Sequence, residues 1–135
     1  MEDFVSFKLA QRLKEKGFKE ECLYHYIGED LFSNIESPIA NNQFWFSHNK
    51  YDNIWHRDNV DAPTISQVLK WLREKHATHI EIALGRHGWY FEIVQYEFYE
   101  EEREYDCKLI TISVIHDSYE LAAIEGIEYC LDNLV

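Results

Sequence analysis

One window, Asp61 to Leu84 (DAPTISQVLKWLREKHATHIEIAL), holds the start, body and end of a helix and then a strand, which leaves the chain few classes of fold. Thr64 stands three places before Gln67, the spacing of a capping box in which hydroxyl and amide each satisfy an orphan backbone N–H. Pro63 blocks any earlier helical turn. Ile65, Val68, Leu69 and Leu72 recur at the spacing of one helical face, and Arg73, Lys75 and His76 set cations where the helix dipole favours them. From His79 the period falls to two: Ile80, Ile82 and Leu84 face one way, and His79, Glu81 and Ala83 the other. A helix therefore feeds a half-buried strand.

The flanking chain repeats these devices. Val5, Leu9 and Leu13, with Ala10 beside them, predict a helix over 4–16; Gly17 closes it in a left-handed conformation and Phe18 folds back on the last turn. The β-prone runs 22–27 and 31–35 flank Gly28, Glu29 and Asp30 and predict a hairpin. Gln43–Ser47 (QFWFS) predicts a third strand, and 47–60 is polar and turn-rich, the longest irregular segment. Gly85–Gly88 leads into Trp89–Phe98, where Trp89, Phe91 and Ile93 share one face and Val94, Tyr96 and Phe98 the other. That pattern predicts either a β-bulge near Val94 or a sheet covered in part on both sides. The acidic tip Tyr99–Asp106 projects into water, and Cys107–Ile115 returns as a strand with Ile110, Ile112 and Val114 toward the core. Asp117, Ser118 and Glu120 start the last helix, whose inner face carries Ala123, Ile124, Ile127, Cys130, Leu131 and Leu134.

Sequential strands joined by tight turns pair antiparallel. The expected fold is thus α+β: a single domain over 1–135, with an antiparallel sheet of about five strands and three helices mainly on one face, in the order α-β-β-β-α-β-β-β-α. The near echo of LKEKG at 13–17 in LREKH at 72–76 raises the idea of two related halves; helix ends commonly carry Lys and Arg, so we read it as coincidence.

Thirteen basic against twenty-five acidic residues leave a net charge of −12, a surface that repels nucleic-acid phosphate, so no direct nucleic-acid binding is expected. Cys22, Cys107 and Cys130 are odd in number and widely spaced, without a CxxC pair, which suggests neither a disulfide framework nor a zinc knuckle. The amino terminus lacks the apolar run of a signal peptide and no stretch approaches a membrane span, so the chain reads as cytoplasmic with no membrane partner. Aromatic residues make up 16% of the chain, more than a core of this size needs, which leaves rings near the surface where Tyr and Trp serve recognition.

Three pieces, VSFKLAQRLKEKGF at 5–18, APTISQVLKWLREKH at 62–76 and SYELAAIEGIEYCLDNL at 118–134, together resemble a family of small uncharacterised proteins encoded by gut Bacteroidetes, their phages and mobile elements. These motifs are helix caps and core stripes. The resemblance thus implies a fold and a source in mobile elements, and carries over no activity, cofactor or catalytic residue.

The candidate interaction surface is aromatic and acidic: Phe44, Trp45, Phe46, Tyr51 and Trp55 in and beside the irregular segment, with Glu100, Glu101 and Glu102 at the tip. His76 and His79, with His48, His56, Asp58 and Asp61, come nearest to metal-ligand spacing, but the break from helix to strand between the first two removes the geometry that makes such a pair converge. His116, Asp117 and Ser118 are chain neighbours, which rarely converge as a triad. No glycine pattern cradles a phosphate. Sequence therefore favours a non-enzymatic accessory module that meets a protein partner with a basic or apolar face, without cofactor. An acidic decoy for a basic nucleic-acid-binding protein is the alternative, with a small metal-dependent enzyme third; homodimerisation through an exposed sheet edge is compatible with either of the first two.

Overall fold

The computed structural model describes residues 3–33 and 59–135, and the chain divides into two compact units that meet in sequence between Thr64 and Ile65. Among the described residues there are three helices and six strands, in two three-stranded antiparallel sheets. The α+β class stands. The expectation of one sheet of about five strands does not, because each unit closes its own sheet.

In the first unit, helix α1 (Phe7–Glu15) is capped by Ser6, whose hydroxyl accepts the Leu9 N–H at 3.1 Å. Its far end closes as the sequence anticipates. Gly17, at φ +96°, lets the Phe18 N–H reach the Leu13 carbonyl at 2.9 Å and its own N–H reach Lys14 at 3.1 Å, and Phe18 is buried on the last turn. Strands β1 (Tyr24–Ile27) and β2 (Asp30–Ser33) form the hairpin around Gly28. The other edge of β1 is taken by β3 (Asn59–Asp61), with Tyr26 opposite Val60. Tyr26 ties the sheet to the chain before α1: its hydroxyl donates to the Val5 carbonyl at 2.6 Å, and the Val5 N–H donates to Pro63.

In the second unit, helix α2 (Ile65–His76) begins directly after Thr64 and buries Ile65, Val68, Leu69, Trp71 and Leu72. Strands β4 (Thr78–Leu84), β5 (Trp89–Tyr99) and β6 (Glu104–Ile112) follow as a meander in spatial order β4-β5-β6. Helix α3 (Tyr119–Asn133) packs on β4 and β5, and α2 packs on β4 and α3. The cap of α3 is Ser118, whose hydroxyl accepts the Leu121 N–H, one place later than the Asp117–Glu120 spacing suggests. Strand order differs between the units, β2-β1-β3 against β4-β5-β6, so the LKEKG and LREKH echo marks helix ends and not a duplicated sheet.

The bulge expected near Val94 is present, and the extra residue lies on the partner strand. Ile93 stands opposite Thr111 while Val94 stands opposite Leu109, which leaves Ile110 without an opposite number. This shifts the phase of β6. Thr111 shares the covered face with Ile93, whereas Leu109 and Ile112 share the open face with Val94 and Glu92. The assignment of Ile112 and Val114 to the core is therefore corrected: Ile112 is 55% and Val114 77% exposed. Beyond β6 the chain still follows β5: the Ser113 N–H donates to the Phe91 carbonyl and the Ser113 hydroxyl accepts the Phe91 N–H, while Trp89 and His116 exchange a pair of backbone bonds.

Candidate functional site

Of the expected surface, Phe44, Trp45, Phe46, Tyr51 and Trp55 lie outside the described residues, as do the predicted strand 43–47 and His48, His56 and Asp58. Glu100, Glu101 and Glu102 are where sequence places them, exposed in the turn that joins β5 to β6. What sequence reading missed is the apolar surface around that turn.

Two-residue alternation and the bulge decide it. Past the bulge Val94 is opposite Leu109, Tyr96 opposite Cys107 and Phe98 opposite Tyr105, so six side chains share the face that α3 does not cover. Phe98 is 45%, Tyr105 63% and Leu109 53% exposed. Their rings are organised: Tyr105 contacts Phe98 with centroids 4.7 Å apart and Tyr96 at 5.8 Å, and the Tyr96 hydroxyl donates to the Arg73 carbonyl at the end of α2. Anchoring Tyr96 at its hydroxyl holds the ring pair in place without covering it.

The opposite face of the same hairpin is charged. Glu97 stands directly across from Asp106 and Tyr99 across from Glu104. Like charges opposed across strands are destabilising, and no cation among the described residues bridges this pair. The Tyr99 hydroxyl donates to Glu97 at 3.1 Å, and that bond, with the charge of Glu97, raises the Tyr99 pKa.

The histidines do not assemble. His76, at the end of α2, packs edge-on against Trp71 with centroids 4.6 Å apart, while His79 bonds Glu81 at 2.9 Å on β4. Among the described residues no group of three or more His, Cys, Asp or Glu is placed to hold a metal ion. His116 lies against Phe91, and the Ser118 hydroxyl is occupied in capping α3. Cys22 and Cys130 are buried and burial pushes both thiols up to about 12, with the Asp61 charge adding to the effect at Cys22; Cys107 is exposed. Among the described residues no helix is long and apolar enough to cross a membrane.

Comparison of the chain with protein-family models, with curated proteins and with solved structures returns no match.

Proposed function

We propose that this protein is a non-enzymatic interaction module that uses the β5–β6 hairpin to bind a protein partner presenting an apolar patch rimmed by Lys or Arg. One observation carries the reading: exposed Phe98 and Tyr105, the latter packed edge-on against half-buried Tyr96, occupy one face of a hairpin whose other face opposes Glu97 to Asp106 and whose turn is Glu100–Glu102. Rigid aromatic side chains supply contact area at low entropic cost, and a basic rim would relieve the like-charge pair.

Affinity capture with the wild-type chain, with Phe98→Ala/Tyr105→Ala, and with Glu97→Gln/Asp106→Asn tests it. A partner recovered by the wild type and lost with both pairs supports the reading; recovery indifferent to both rejects this surface. The run Glu97, Glu100–Glu102, Glu104 and Asp106 also supports the decoy reading, for a basic nucleic-acid-binding partner. In that case DNA competes for the partner and recovery collapses at high salt, whereas the aromatic substitutions have little effect.

A further inference from the structure

Strand β6 is an edge of its sheet, and among the described residues its outer backbone groups meet no other strand. Edge strands are templates for further pairing, and proteins guard them with charge. Here the guard is mixed. Reading Glu104-Tyr105-Asp106-Cys107-Lys108-Leu109, a single lysine stands among the acids, and all six residues are exposed.

We infer that the chain forms a two-fold dimer by antiparallel pairing of β6 with β6 of a second copy, in the register that sets Cys107 opposite Cys107. A two-fold axis perpendicular to the sheet keeps the same face outward in both copies, so residues of like phase must oppose one another, and the axis passes through a residue position. With the axis at Cys107, Asp106 faces Lys108 of the other copy twice over, and Tyr105 faces Leu109 twice over. Opposite-charge and aromatic–aliphatic pairs are the cross-strand pairs that stabilise sheets. One step to either side sets Asp106 against Asp106 or Lys108 against Lys108.

The regular stretch suits this register. Residues 105–109 all lie between the turn and the Ile110 bulge, on a ladder without irregularity. Tyr105, Cys107 and Leu109 of the two copies then join into one apolar strip on the open face. The densest acid run of the chain lies away from the axis. The Glu100–Glu102 turns point to opposite ends, on the order of 40 Å apart at the rise of a strand, far beyond a Debye length of about 8 Å at physiological salt.

Residues directly opposed in an antiparallel pair have Cα atoms about 4.5 or 5.5 Å apart, both inside the roughly 4.4–6.8 Å that a disulfide spans. Cys107 therefore reports the register. Diamide, which takes two electrons and two protons from a thiol pair, should link the native protein into a dimer of two 16.2 kDa chains, and Cys107→Ser should abolish the link. Sedimentation under reducing conditions measures the association itself. Lys108→Asp sets carboxylates against Asp106 twice and should raise the dimer Kd by at least about tenfold, while Asp106→Lys/Lys108→Asp restores opposite charges and should restore the dimer. A chain that stays monomeric to high micromolar concentration overturns the inference, and so does a dimer indifferent to Lys108→Asp or one that the swap fails to rescue. Cys107→Ser and Lys108→Asp leave Phe98, Tyr105, Glu97, Asp106 and Glu100–Glu102 unchanged, so with these two variants loss of the dimer and loss of partner recovery are read separately; the Asp106→Lys/Lys108→Asp swap is read for the dimer alone.

Discussion

Gly126 of α3 sits directly against Ile80 of β4: a methyl group on its Cα would stand 3.0 Å from the Ile80 Cγ2 and 3.4 Å from the Phe91 ring. The bare position lets helix and sheet approach. Gly126→Ala gains about 1 kcal/mol of helix propensity and loses a similar amount to crowding, so thermal denaturation should show a small change. Gly126→Leu has no room and should lower stability by about 2–3 kcal/mol.

Gly88 turns β4 into β5 at φ +147°, and a side chain there would lie 2.8 Å from the His116 carbonyl oxygen and 2.5 Å from Ile115. The oxygen belongs to backbone that pairs with Trp89, so it cannot swing aside as a side-chain tip does. Gly88→Ala should cost about 2 kcal/mol or more, measured by chemical denaturation.

Each unit has its own helix cap, Ser6 on α1 and Ser118 on α3. Either serine changed to alanine should cost about 1 kcal/mol. Hydrogen exchange should show the loss of protection in α1 for Ser6→Ala and in α3 for Ser118→Ala. Tyr26→Phe leaves the Val5 carbonyl without its buried donor and should cost about 1–2 kcal/mol.

The cysteines divide by burial. A thiol reagent should modify Cys107 quickly in the native protein, and Cys22 and Cys130 only on unfolding. The native state holds the Cys22 and Cys130 protons up to about pH 12, whereas the unfolded chain releases them near 9.0, so more protons are bound by the folded form between those values. Stability should fall with rising pH over that window, and Cys130→Ala should flatten the slope.

Much of the fold was legible because local signals agreed with tertiary ones. Gly17 and Phe18 announced the close of α1, and Gly85–Gly88 announced the β4–β5 turn. β3 was not legible, since three residues carry no period, and Asn59 and Val60 read as the end of a loop with Asp61 as the lead into α2. The cap of α3 moved from Asp117 to Ser118 because both are short polar residues and only backbone geometry chooses between them. The apolar surface on β6 was hidden for a different reason: alternation assigns faces only while the ladder is regular, and Ile110 interrupts it. Reading straight through that residue sends Ile112 and Val114 inward, whereas the same alternation already sets Leu109 outward, and Tyr105 lies within a run whose charge density masks its ring. The acidic tip could be seen at once, because charge density needs no register.

The unmatched Ile110 also means that β6 holds a spare residue. Deleting it would leave Leu109 across from Val94 and Thr111 across from Ile93, so the hairpin has slack at one point and none along the rest of its ladder. Length changes in related chains should collect there, where one residue more or less alters no pairing.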